Sequence, residues 1–268
     1  MAVEFSFKNT YGIDDLIEIM RILRSPEGCP WDREQDHASI KKSLIEETYE
    51  VIEAINKRDD SLLCEELGDV LLQVVFHSQM AKEREAFDFA AVCDGICKKL
   101  IERHPHVFGD IKADTSAEVL VNWEKIKSDS KNRKTQTDKM LSVPRELPAL
   151  MRSTKLQEKA AKVGFDWENA DGAFDKIDEE AAELKEAYKN GESENIKEEL
   201  GDLLFSVVNV SRFLGVDAEE ALTVSSDKFL NRFSVVERLA GERGIDMKSS
   251  SLEELDKLWD EAKIIKSN

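Results

Sequence analysis

Cysteine is scarce in this chain. Its four copies, Cys29, Cys64, Cys93 and Cys97, include no CxxC pair, and Cys93 and Cys97 merely stand one helical turn apart. That spacing argues against both a zinc site and a disulfide framework, and for thiols kept reduced in a cytosol. Glycine and proline are also few, with 12 and 5 copies in 268 residues. Together with abundant Glu, Lys, Leu and Ala, this favours a mostly helical chain. Excess positive charge is missing: 38 Lys and Arg face 56 Asp and Glu, for a net charge of −18. A general nucleic-acid binder needs a basic face to displace counterions from phosphate, so that class is excluded. A small phosphate-bearing substrate stays open, because a bound divalent cation inverts the local charge. No apolar run approaches membrane-spanning length, and the N-terminal MAVEFSFKNTYGIDD lacks a basic stretch followed by an apolar one. The expectation is a cytoplasmic protein with no membrane partner. P-loop, GxSxG and Rossmann fingerprints are absent as well.

A repeat is what the sequence does contain. IEETYEVIEAI at 45–55 matches DEEAAELKEAY at 178–188, and EELGDVLLQVV at 65–75 matches EELGDLLFSVV at 198–208. Glu46 to Glu179 and Glu65 to Glu198 are both 133 residues apart. A common offset across two matches implies a duplicated helical unit. Between the copies, SDSKNRKTQTDKMLSVPRELP has no large apolar residue before Met140 and carries Pro144 and Pro148. Such a composition suits a connection. The expected organisation is therefore a domain over 1–128, a linker over 129–148 and a second domain over 149–268.

Helical periodicity predicts helices over 12–24, 38–57, 60–83, 87–104 and 115–128 in the first copy. In the second copy it predicts 149–162, 172–190, 192–214, 217–242 and 251–264, with stops at Asn190-Gly191 and Gly215. GCPWDREQDH and GFDWENADG read as loops. No strand pattern is found. The fold class is all-α, two tandem helical bundles.

Within the repeat, Glu199, Asp202, Ser206 and Asn209 fall within about 80° of one another on a helical wheel. Leu200, Leu203, Leu204, Phe205, Val207 and Val208 cover the rest. A polar stripe this narrow predicts a mostly enclosed helix whose stripe faces a polar pocket. Glu66, Asp69, Gln73 and His77 repeat the stripe in the first copy. The preceding helix adds Glu180 and Glu183, or Glu47 and Glu50, each pair at i, i+3 on one face. Sixteen residues separate Glu183 from Glu199 and Glu50 from Glu66, enough for a helical hairpin. Four carboxylates then converge, and they repel unless a cation lies among them. Oxygen ligands without Cys or His select Mg²⁺ or Mn²⁺ over zinc. Either acidic pair alone would read as a solvated face; the combination, at fixed spacing in an apolar surround, reads as a metal site.

The EExxE and ExxD pairs resemble the all-α nucleoside triphosphate pyrophosphohydrolase superfamily. Within it, GCPWDREQDHASIKKSLIEETYEVIEAI, HPHVFGD and GFDW are similar to the MazG family, over nearly the whole chain. The resemblance implies a nucleoside triphosphate substrate, hydrolysed with Mg²⁺ to monophosphate and diphosphate, and dimers with composite active sites. It also implies nucleotide contacts at Lys176, Lys228, Arg232 and Trp259, the last near the base. Glu179, or Glu46 in the first copy, is the candidate for orienting water or taking its proton. The family's C-terminal domain generally carries the activity, which points to Glu179, Glu180, Glu183, Glu199 and Asp202 as the catalytic set. The first copy has Ser43 in place of Lys176 and no counterpart of Trp259, although Lys99 and Arg103 repeat the Lys-x3-Arg spacing of Lys228 and Arg232. Asn195 departs from members with a basic residue there, which bears on substrate affinity. A homodimer is also expected because a lone helical unit leaves an apolar face uncovered. Two rival functions stay on the page: a hydrolase narrow for dUTP, dCTP or a phosphoribosyl-ATP, and a regulatory module that binds nucleotide without turnover. Glu34-x-x-His37 and His104-Pro105-His106 are weaker signals, read as a loop and a helix end.

Overall fold

The computed structural model describes residues 5–113, 115–129 and 135–265, and these form thirteen helices and no strand. They fall into two compact units, divided between residues 127 and 128. No helix among the described residues is long and apolar enough to cross a membrane.

Unit 1 contains α1 (Ile13–Leu23), α2 (Pro30–Glu34), α3 (Lys41–Lys57), α4 (Asp60–Glu83), α5 (Phe89–Arg103), α6 (Pro105–Phe108) and all but the last two residues of α7 (Ser116–Asp129). Unit 2 contains α8 (Gln136–Leu141), α9 (Ala149–Ala161), α10 (Ala170–Asn190), α11 (Ser193–Phe213), α12 (Ala218–Arg243) and α13 (Leu252–Ile264). Capping side chains mark where α4 and α10 start. Asp59 accepts from the backbone N–H of Ser61 and Leu62 at 3.0 and 3.1 Å to start α4, and Asn169 accepts from Asp171 N–H at 2.9 Å to start α10. Such caps satisfy donors that the first helical turn leaves free.

The expected hairpins form. α3 packs along α4, and α10 along α11. The turn between each pair requires a left-handed residue: Gly191 at φ 71° in unit 2 and Arg58 at φ 56° at the matching place in unit 1. In unit 1, Met20, Ile40, Val75, Phe76 and Met80 make a core between α1 and α4. In unit 2, Val236, Leu239 and Ala240 of α12 pack on Leu258 and Ala262 of α13.

Three expectations change. The prolines of GCPW and HPH begin short helices, α2 and α6, because proline fits the first helical position, where no N–H partner is needed. Of the expected linker, residues 130–134 lie outside the described residues, while 136–141 form α8, which packs on α9. Thr135 and Asp138 form its capping box, and Gln136 donates to the carbonyl of Lys159. Finally, α11 is not enclosed within the chain. Leu200, Leu204, Phe205 and Val207 are exposed, and so are Leu67 and Leu71 at the matching places of α4. A wheel reveals which face is apolar but not what lies across from it.

Candidate metal and nucleotide site

Of the four acids expected to gather in each unit, three do so. Glu180 of α10 and Glu199 and Asp202 of α11 each offer a carboxylate oxygen within 4.8 Å of the others, as do Glu47 of α3 and Glu66 and Asp69 of α4. Hairpin packing brings them together: i, i+3 spacing sets each pair on one face, and the short turn opposes the faces. Glu180 is only 6 % exposed. Burial first, then the negative charges of Glu183, Glu180 and Asp202, push the Glu199 carboxyl above the ordinary range. In unit 1, Glu47 is raised by burial and then by Asp69 and Glu50; Glu66 is raised by burial and then by Glu50. Glu50 and Glu183 thus act on the clusters electrostatically, each as an exposed fourth acid.

Among the described residues, no ion pair reaches Glu47, Glu66 or Asp69. In unit 2, Lys176 Nζ lies 2.5 Å from Glu180 and 3.0 Å from Glu179. Those two hydrogen bonds hold the lysine's pKa well above its ordinary value. One turn beyond Asp69, Gln73 is buried and its Oε1 has no partner among the described residues. Three gathered carboxylates with no soft donor fit a hard divalent cation bound through oxygen. Glu46 and Glu179, the candidates for handling water, are both exposed at the rim of their clusters.

Lys228 and Arg232 come together on α12, in a cleft of about 420 Å³ that α13 completes with Ala262 and Lys263. Trp259 of α13 backs them. Its ring centroid is 5.2 Å from that of Phe229, and the Arg232 guanidinium carbon stands 5.9 Å over its face. That cleft includes none of the acid-cluster residues. Asn195 is exposed and donates to Glu192 at 2.6 Å.

Both weaker motifs resolve into packing. Arg84 donates to His37 Nε2 at 2.7 Å, so His37 must carry its proton on Nδ1 and give it to His77 Nδ1, also at 2.7 Å. His104 closes the end of α5 through Nδ1 and the carbonyl of Leu100 at 2.6 Å.

Sequence reasoning did not find the contacts around the GFDW loop. Arg212 of α11 ion-pairs with Asp166 of that loop, and Gln157 of α9 donates to the carbonyl of Phe205 at 2.8 Å. The available signal was Asn209, on the α11 stripe two turns beyond Asp202.

The MazG nucleotide pyrophosphohydrolase domain matches the chain twice, over residues 35–108 and 173–236, so each match contains one acid cluster. The nucleoside triphosphate pyrophosphohydrolase/pyrophosphatase MazG of Thermotoga maritima is 48% identical over 250 residues, covering 93% of this chain and 95% of that protein. A nucleoside triphosphate pyrophosphohydrolase of Escherichia coli is 46% identical over 254 residues, covering 94% and 97%. The protein YabN of Bacillus subtilis is 48% identical over 246 residues, covering 91% of this chain and 50% of its own length. Two domain matches, each centred on a helical hairpin with its acids gathered, place the chain in the MazG family of nucleotide pyrophosphohydrolases.

Proposed function

We propose that the chain hydrolyses nucleoside triphosphates, ribo- and deoxyribo- alike, to the monophosphate and diphosphate, with Mg²⁺ or Mn²⁺ held in unit 2. The supporting observation is the convergence of Glu180, Glu199 and Asp202 within 4.8 Å on the α10–α11 hairpin. Glu183 completes the set as the fourth carboxylate. A bound cation neutralises developing charge on phosphate oxygens and lowers the pKa of coordinated water.

The remaining work falls to the chain's own side chains. Glu179, exposed at the rim, orients the attacking water or takes its proton. Lys176 swings from Glu180 to a phosphate oxygen, for which its three donors suit it. Lys228 and Arg232, one turn apart on α12, clasp the triphosphate, and Trp259 holds the Arg232 guanidinium by cation–π contact. In unit 1, Glu47, Glu50, Glu66 and Asp69 hold a second cation. With Ser43 in place of a lysine, that unit lacks the phosphate contact nearest its acids.

The working form is a homodimer in the cytoplasm. The exposed row of Leu200, Leu204 and Val207 is a face a second copy would cover. Such a copy also offers a way to bring Lys228 and Arg232 to the acids. Nucleic acid is no partner of a chain with net charge −18.

The test is diphosphate release across a panel of ribo- and deoxyribonucleoside triphosphates, with and without Mg²⁺. Turnover of several bases only with the metal is expected. Turnover of one nucleotide alone would point to the narrow hydrolase, and binding without turnover to a regulatory module.

A further inference from the structure

The two hairpins carry different residues one turn beyond their acids. In unit 1, Glu47 of α3 gathers with Asp69 of α4, and Glu50 is the charge that acts most on Glu66. Helices joined by a short turn run in opposite directions. Four residues back from Glu47 and four on from Asp69 therefore reach the same level, which sets Ser43 across from Gln73. In unit 2, where Glu180 gathers with Asp202, the same step sets Lys176 across from Ser206. A lysine and a serine flank the acids of unit 2, and a serine and a glutamine those of unit 1.

The two pairs meet a cation differently. Lys176 places its ammonium against Glu180 and Glu179, at 2.5 and 3.0 Å. A positive charge there competes for Glu180 and repels any cation that approaches it. Ser43 and Gln73 carry no charge, so the unit 1 acids face no such competitor at this level.

Gln73 adds an observation of its own. It is 6 % exposed, and its buried Oε1 has no partner among the described residues. Buried amide oxygens are paired in most proteins, with protein or with ordered water. Gln73 shares the polar stripe of α4 with Glu66 and Asp69. Helical side chains lean toward the N-terminus of their helix, so Gln73 leans back over the turn that holds Asp69. Its shorter counterpart in unit 2, Ser206, is buried as well but has no carbonyl to offer.

The acids cannot satisfy that oxygen, because ionised carboxylates only accept. What they attract can. Mg²⁺ and Mn²⁺ bound by a few carboxylates keep several waters, whose protons point away from the ion. An acceptor behind such a water fixes its orientation and tightens the site, as outer-shell partners of metals do.

We propose that Gln73 is a positioning residue of a unit 1 site that holds a divalent cation without nucleotide. Glu47, Glu66 and Asp69 supply the charge, and Gln73 Oε1 accepts from water on the ion. Unit 2, with Lys176 against Glu180, takes its cation together with the phosphates that draw the lysine away. Unit 1 is thus a standing site that braces the α3–α4 hairpin, and unit 2 a site completed by substrate. This rests on the reading of the acid clusters as cation sites.

The test uses the full chain carrying Glu180→Ala, so that unit 1 alone binds, with Mn²⁺ and no nucleotide. Calorimetry reads affinity, and thermal unfolding is followed with and without the ion. Into this parent chain go Gln73→Met, which keeps the volume and removes the acceptor, and Gln73→Glu, which keeps an acceptor. The parent should bind Mn²⁺, Gln73→Met about ten-fold or more weakly, and Gln73→Glu at least as tightly as the parent. Without metal, Gln73→Met should unfold at or above the parent's Tm, because it leaves no buried oxygen unpaired. Its gain in Tm from Mn²⁺ should be smaller. Equal affinity of Gln73→Met and the parent overturns the role of Gln73, as does equal loss in both variants. A metal-free Tm of Gln73→Met below the parent's would assign the residue to packing and overturn it too. No Mn²⁺ binding by the parent would instead sink the unit 1 cation site itself, so the two failures are distinguishable.

Discussion

Lys176 Nζ stands 2.5 Å from Glu180 Oε1, whereas Ser43 occupies the equivalent position 133 residues earlier. On the proposed function, the lysine competes with the cation for that carboxylate oxygen and repels it. Lys176→Ser should therefore tighten Mn²⁺ binding by unit 2 in the absence of nucleotide. It should also raise KM for nucleoside triphosphate about ten-fold or more through loss of a charge-assisted phosphate contact. Calorimetry and steady-state kinetics on one preparation check both signs.

The raised carboxyls of Glu47, Glu66 and Glu199 make cation binding proton-linked. Folding without metal lifts these pKa values, so their contribution favours the folded state at low pH and is lost as pH rises through the raised values. A bound cation reverses this by favouring the ionised acids. The rise in Tm produced by Mg²⁺ should accordingly be larger at pH 7 than at pH 5. Mn²⁺ binding should release more protons at pH 5 than at pH 7, measurable from the dependence of binding heat on buffer ionisation.

At the hairpin turns, Gly191 takes a left-handed conformation without a side chain, and Arg58 takes it with one. Gly191→Ala should cost about 1 kcal/mol, read by urea unfolding. Arg58→Gly should cost less, since relief of left-handed strain offsets the added freedom of the unfolded chain.

The exposed apolar row on α11 gives a prediction about assembly. Leu204→Asp should place a charge in the middle of the covered face and shift the mass in light scattering from twice 30.4 kDa toward 30.4 kDa. If the variant keeps the wild-type mass, another face joins the copies.

Much of this architecture is local and was legible in the sequence. α4 runs over the predicted 60–83, and α10 and α11 begin or end within two residues of prediction. The caps Asp59 and Asn169 of α4 and α10, and the glycines Gly191 and Gly215 after α10 and α11, lie within one turn of the boundary. The acid clusters were legible because two spacings, i, i+3 within a helix and sixteen residues across a turn, set the acids on facing sides of a hairpin, where three of each four gather. Features set by distant partners were not. Asp166 meets Arg212 46 residues on, and Gln157 meets Phe205 48 residues on, so no window of sequence contains either pair. The exposure of Leu200 and Leu204 was misjudged for a related reason, since periodicity is silent on what covers a face.

The central claim is that the unit 2 acids gather a divalent cation for phosphate chemistry. The most direct measurement follows Mn²⁺ binding and diphosphate release together in Glu180→Ala and Glu47→Ala. Glu180→Ala should abolish Mn²⁺ binding by unit 2 and lower turnover by about two orders of magnitude or more, while Glu47→Ala keeps most of the turnover. Turnover that survives the first substitution and disappears with the second would contradict the account.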